Sequence, residues 1–509
     1  MRDNGLGSWT RRRARMTPAK AALIQDDVPT TYADLHRGAT QLAHGLRERG
    51  VRRGDRVAFL GLNSVEMVTA MFATAQLGGV FVPVNTRLAT PELAHVLGHS
   101  GASLLLVEDA LAGPTEDPAI TALGIDTLVF TRAAGAGLDG LRSEDESEID
   151  EPIGLDDLFM IQYTSGTSGR PKGVMLTHGN VFWNVANLLV DIDLTSEEVA
   201  LVTAPLFHTA ALNQVLFPTI LKGGTALIEA RFDPVRAIDL IESMRVSLLF
   251  GVTSMYLALA AAPRFGEADL GSLRLALSGG APIPESLLHT WLDRGLMIVQ
   301  GYGLTEASPG TTMLRAADGV RKLGSAGTAC FFTDVRVVAQ DVQGERETAV
   351  GEPGEVLVSG PNVSPGYWQD EAATAAAFDT ASDERGWLHT GDLAVRDQEG
   401  YLRIVDRLKD MYISGGENVY PAEVEQALHS HPDIAECAVV GVPDERWGEV
   451  GRAFVVVRAG ADLDEAGVLA HLDGRLARYK LPRTVVFLPE LPHNASGKLV
   501  KSRLREATP

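Results

Sequence analysis

Between residues 163 and 174 the chain reads YTSGTSGRPKGV, bracketed by the apolar LFMIQ before it and the strand-like VMLT after it. A run this rich in glycine and hydroxyls continues neither apolar segment, so it must turn between two strands. Gly166, Gly169 and Gly173 let backbone amides approach a polyanion closely, while Thr164, Ser165, Thr167 and Ser168 add hydroxyl donors and Lys172 a positive charge. Such a loop suits a triphosphate. It is not a Walker A loop, because Gly173 rather than Ser or Thr follows Lys172 and the glycines are spaced differently.

The segments around this turn alternate. TYADLHRGATQLAHGLRERG is an amphipathic helix, with Thr31 and Asp34 spaced as a capping box and Gly50 or Gly54 ending it; DRVAFLG, VEMVTAMFATAQLGG and VFVPVN continue a βαβ rhythm. From Asp157 to about residue 335 the alternation resumes, with runs such as RVSLLFGV and LRLALSGG that are apolar on both faces, as parallel strands covered by helices require. VRVVAQD, GEVLVSG and GYLRIVDR then read as an antiparallel or barrel-like subdomain, and the chain after Arg407 as a small α+β unit. Residues 108–151 read as a solvated, mobile loop, since Ser143 to Glu151 holds six carboxylates in nine residues. The fold class is therefore α/β, a large N-terminal domain of layered subdomains followed by a small C-terminal domain.

At 509 residues, with 45 Lys plus Arg against 66 Asp plus Glu, the chain carries a net charge of −21. That repels polyanions, excludes a nucleic-acid partner and makes phosphate recognition a local matter. The two cysteines, Cys330 and Cys437, form neither a disulfide framework nor a zinc cluster. No secretory leader or stretch long enough to span a bilayer is evident, so the chain reads as soluble and cytoplasmic. Arg11, Arg12, Arg13 and Arg15 read as a solvated first helix, with peripheral contact to an anionic lipid surface as the rival reading. His429 and His431 read as solvated helix-end residues, and monomer and homodimer both stay open.

Five further strings follow in one order: PLFHTAA at 205–211, GYGLTE at 301–306, TGD at 390–392, DRLKDMYISGGENVYPAEVE at 406–425, and NASGK at 494–498. Together with YTSGTSGRPKG they cover nearly the whole chain, which resembles the adenylate-forming enzymes: acyl-CoA synthetases, aryl-CoA ligases, luciferases and peptide-synthetase adenylation domains. The overall look is nearest to actinobacterial fatty-acyl-CoA ligases and, further off, to coumarate-CoA ligases.

The resemblance implies ATP, Mg²⁺ and CoA. It assigns Glu306 to the metal, Tyr302 to stacking on adenine beside Gly280, Ala281 and Gly303, and Thr305 to the α-phosphate region. Asp392 would accept the ribose hydroxyls, with Arg407 beside the same sugar. Lys498 would bridge the substrate carboxylate and the α-phosphate. The domains would be 1–408 and 409–509, with a hinge at Lys409 about which the small domain rotates, and Gly415, Gly416 and Glu417 beside the pantetheine tunnel, near Trp447. His208, Asn213, Val252, Thr253, Gly279, Gly301 and Ser308 would line the acyl pocket, where Gly280 and Gly310 leave space for a long or flat group. Thr253 stands where fatty-acyl relatives tend to have proline, and nothing positive awaits a second carboxylate.

The function implied is an ATP-dependent acid–CoA ligase acting on a fatty or aryl acid. Alternatives are the same fold with another acceptor (a carrier-protein thiol, an amine, or nitrite in diazotisation of an aryl amine), and a non-catalytic acyl-binding module.

Overall fold

The computed structural model describes residues 3–132, 137–164, 170–280, 283–341, 344–379, 386–414, 417–444, 446–493 and 499–506. Two sheets built mainly of parallel strands form the bulk of the large part. One has nine strands; its parallel core runs Ala21–Gln25, Thr225–Ile228, Val199–Val202, Leu248–Gly251, Leu275–Ser278 and Ile298–Gly303 in spatial order. The other has six, with Leu158–Thr164 near one edge and antiparallel to Lys172–Thr177. Their strands are apolar on both faces because both faces are covered; Leu248, Leu249, Leu275, Ala276 and Leu277 are all buried.

The helix Tyr32–Glu48 carries the anticipated capping box, with Asp34 N donating to Thr31 Oγ1 and Thr31 N to Asp34 Oδ2. A longer-range device is the helix His178–Asp191. Its Asn180, Asn184 and Asn187 are buried and recur at helical spacing, and each is bonded to backbone elsewhere. Asn180 Nδ2 donates to the carbonyls of Pro361 and Val363, Asn184 Nδ2 to that of Asn213, and Asn187 Oδ1 accepts from Phe332 N. Buried amides are retained where both ends are satisfied, and here they fix one element against three others.

Beyond residue 333 the chain forms a six-stranded antiparallel sheet, in which Trp387–Arg396 pairs with Leu402–Arg407. The last hundred residues fold around a five-stranded sheet in which Ile434–Asp444 and Gly448–Val457 make the longest ladder. Cys330 and Cys437 are both buried free thiols.

Three expectations change. The 108–151 segment is not one loop: Asp126–Phe130 is an edge strand, parallel to Ala102–Glu108. Its exposed face hid it, Asp126, Thr127 and Val129 lying open to solvent, so no two-sided apolar run marks it. The acidic stretch, although mostly exposed, lies along the N-terminal helices, with Glu148 paired to Arg11 at 3.5 Å, Glu151 to Arg47 at 2.9 Å and Asp145 to His44 at 3.5 Å. Nor is the first helix, Ser8–Met16, solvated all round: Trp9, Thr10 and Arg11 are buried, and Arg13 donates to the Leu221 carbonyl. Among the described residues no helix is long and apolar enough to cross a membrane.

Candidate active site

The candidate residues collect where parallel strands end. Thr164 closes Leu158–Thr164, His208 follows Val199–Val202, Val252 and Thr253 follow Leu248–Gly251, Gly279 and Gly280 follow Leu275–Ser278, and Gly301, Tyr302 and Gly303 end Ile298–Gly303. In open α/β sheets the crevice beyond the carboxyl ends is where ligands bind, because loops there diverge from strands that cannot move. Ser165, Gly166, Thr167, Ser168, Gly169, Ala281, Gly415, Gly416 and Lys498 lie outside the described residues.

The turn from 163 to 174 does join two antiparallel strands, Thr164 facing Lys172 in register. It is braced by two residues that sequence reading passed over: His95 Nε2 donates to the Pro171 carbonyl at 3.1 Å, and His99 Nδ1 lies 2.9 Å from the Tyr163 hydroxyl.

Tyr302 donates its hydroxyl to Asp392 Oδ2 at 2.8 Å, and Arg407 Nε lies 3.1 Å from Asp392 Oδ1. Asp392 and Arg407 face each other across the antiparallel ladder, so the acid and its cation come from one register. Burial, with Asp392 alongside, holds the Tyr302 phenol well above its ordinary range, leaving it a neutral donor. A carboxylate has about four lone-pair sites, so the two contacts leave Asp392 acceptor capacity for sugar hydroxyls. Nearby, Ser278 Oγ and Gln300 Nε2, on residues that are register partners, are buried without a partner. Orphaned polar atoms side by side on two adjacent strands fit a polar heterocycle that would satisfy them.

Glu306 occupies the short helical turn Thr305–Ala307. Its Oε1 accepts from the Tyr367 hydroxyl at 2.8 Å, and Lys172 Nζ stands 5.0 Å from the centre of the same ring. Tyr367 escaped sequence reading because it lies in a turn far from either partner. The turn is fixed by Trp368 N donating to the Gly173 carbonyl at 2.7 Å and Met175 N to that of Gly366 at 3.0 Å. Among the described residues no group of three or more His, Cys, Asp or Glu could hold a metal. One carboxylate whose second oxygen bonds none of the described residues nonetheless fits Mg²⁺, which keeps waters and completes its shell with phosphate oxygens. Glu306 would hold it, and the ion would neutralise charge on the phosphates.

Around His208 and Asn213, the residues expected at the acyl pocket, the groups are neutral. Burial, with the Arg87 cation adding to it, lowers His208 to about 4, so its ring is uncharged at neutral pH. Asn213 Nδ2 donates to the Ser308 carbonyl at 2.9 Å, and Gly310 N donates to Asn184 Oδ1 at 2.9 Å. Gly310 does not leave space: a Cβ there would sit 2.9 Å from Asn184 Oδ1 and 3.2 Å from Gln214 Nε2. That glycine is required by close packing, whereas Gly280, with φ of 87°, meets nothing within 4 Å. Gly303 is likewise packed, with the Pro309 carbonyl where a Cβ would be.

Lys409 and Glu417 are exposed, and so is Trp447, with the Arg446 guanidinium 4.9 Å from its ring. Asp410 pairs with Arg505 at 2.8 Å and Glu425 with Lys501 at 2.8 Å, so the last helix, Lys501–Glu506, is tied beside residue 409. His429 is half-buried rather than solvated, and burial lowers its pKa.

A feruloyl-CoA synthase of an Amycolatopsis species is 50% identical over 505 residues, 99% of each chain. A long-chain-fatty-acid–CoA ligase of Mycobacterium tuberculosis is 39% identical, with 98% of each chain covered. Among solved structures, o-succinylbenzoate CoA synthetase from Bacillus subtilis in complex with ATP and magnesium superposes with a TM-score of 0.86 at 34% identity, over 98% of each chain. The family model described as AMP-binding enzyme matches residues 10–368, and that described as AMP-binding enzyme C-terminal domain matches residues 423–498. The chain belongs to the AMP-binding, adenylate-forming enzyme family.

Proposed function

We propose that the chain is an ATP- and Mg²⁺-dependent acid–CoA ligase whose acid is an aryl, phenylpropenoic-type carboxylic acid. The observation that carries the chemistry is the meeting of two built clusters at the strand ends, Tyr302–Asp392–Arg407 and Lys172–Tyr367–Glu306. The first offers a ring, acceptors and a cation to a nucleoside; the second offers a cation and an acid to its phosphates. For the acid, the 50% identity to a feruloyl-CoA synthase against 39% to a fatty-acid ligase supports the aryl reading, as does Thr253 at the pocket wall.

A carboxylate repels nucleophiles and has no usable leaving group, so it must first be esterified. Its oxygen attacks the α-phosphorus of ATP, the bond to the β-phosphate breaks, and acyl-AMP and pyrophosphate result. Two anions must meet, and neutralising them in place is what Lys172 and Lys498 do. The CoA thiol then attacks the acyl carbon and AMP leaves with the bonding pair. His208 stays neutral beside the acyl group. Domains 1–408 and 409–509 alternate about Lys409 between the two steps, withdrawing Lys498 and presenting Glu417 with its neighbouring glycines to the thiol arm.

The test is AMP release from ATP across fatty, benzoic and cinnamic acids, each with and without CoA, with nitrite wells alongside. CoA-dependent turnover with cinnamic acids is expected. Turnover that requires nitrite and ignores CoA would move the function to the alternative acceptor.

A further inference from the structure

Immediately after His208 and the short helix Thr209–Ala211, the chain makes one π-helical turn, Leu212–Leu216. A π turn inserts an extra residue into a helical path and re-aims the side chains around it, which is why such turns concentrate at functional sites. Every residue of this one is buried. Asn213 spends its amide on the Ser308 carbonyl, and Asn184, opposite, is used at both ends, by the Asn213 carbonyl and by Gly310 N. Gln214 is the exception. It is 8% exposed, its Nε2 faces the bare Cα of Gly310, and its Oε1 is buried with no hydrogen-bond partner.

A buried amide oxygen left unpaired is costly, and beside the expected acyl pocket a ligand is one partner that would complete it. Ser308 Oγ, on the turn whose carbonyl Asn213 holds, is also buried and unpaired. An alkyl chain would leave both atoms unsatisfied. A hydroxyl donates to an oxygen and accepts from an N–H, so it suits either end of the amide. Resting on the aryl acid–CoA ligase reading above, we infer that Gln214 is a specificity-determining residue that hydrogen-bonds a ring hydroxyl, and that the preferred acids are hydroxylated aryl acids.

Initial rates are measured with cinnamic, 3-hydroxycinnamic and 4-hydroxycinnamic acids, and with 4-hydroxy-3-methoxycinnamic against 3-methoxycinnamic acid, for the parent chain, Gln214→Leu and Gln214→Met. The parent favours one hydroxylated acid over its deoxy analogue in kcat/KM by roughly 10-fold to 100-fold, the worth of one buried hydrogen bond. In both variants that ratio falls toward one, through KM more than kcat. Parent ratios within about twofold of one for every pair overturn the inference whether or not the variants fold, and so does a ratio that survives in a folded variant. Activation of hydroxylated and plain cinnamic acids alike leaves the aryl reading standing and removes only Gln214; activation of no aryl acid removes the aryl reading itself.

Discussion

The half of the crevice proposed for the nucleotide and the half proposed for the acyl group are built from different materials. Around Tyr302 and Glu306, charged groups are paired with one another across elements, Asp392 with Arg407 and Lys172 over the ring that binds Glu306. Around Asn213 and Gly310 the described residues form no ion pair, only neutral amides holding backbone, with the Gln214 and Ser308 oxygens left open. The reaction explains the division. A triphosphate always needs charge in fixed places, whereas an acyl group is told from its rivals by shape and by a few hydrogen bonds.

The comparison can be broken from the charged side first. Lys498→Ala is expected to slow acid-dependent ATP–pyrophosphate exchange by about 10²-fold to 10³-fold, the usual cost of one lost contact to developing charge, while thioester formation from supplied acyl-AMP falls much less. Equal losses in both half-reactions would contradict the proposed domain alternation. Asp392→Asn takes the charge from beside Arg407 and should raise KM for ATP by roughly 10-fold or more, a charge-assisted bond being worth about 1.5–3 kcal/mol, with the KM for the acid nearly unchanged.

On the neutral side the expected losses are in packing. Gly310→Ala sets a methyl against Asn184 and Gln214 and should lower stability by about 1–3 kcal/mol, read from the denaturant midpoint; an unchanged midpoint would restore the reading of Gly310 as open space. A pH dependence follows from two buried histidines. His208 and His178 are both lowered to about 4, chiefly by burial, from an ordinary 6.5. Between those values the unfolded chain binds protons that the folded chain refuses, so stability is full above about pH 6.5 and declines as pH falls toward 4. Replacing His178 with Gln should flatten the decline between pH 7 and 5 in urea titrations; a curve as steep as the parent's would show the ring is charged when folded.

What could be read in advance follows the same division. Apolar runs and the Thr31–Asp34 cap were legible because each is set by local pattern, whereas Asp392 and Arg407 were placed beside one sugar only through the resemblance, and their direct pairing emerges from the register of the ladder. The edge strand Asp126–Phe130 was not, since one exposed face breaks its apolar run. Tyr367 was missed because its meaning depends on Glu306, 61 positions away. Gly310 misled for a related reason: a glycine reads the same in sequence whether it makes room for a ligand or accommodates Asn184.

The most direct measurement is product identification by mass after incubation with ATP, Mg²⁺, CoA and 4-hydroxy-3-methoxycinnamic acid. The account predicts the CoA thioester and AMP in equal amounts, with pyrophosphate and no ADP. AMP accumulating without thioester, or ADP in its place, would contradict it.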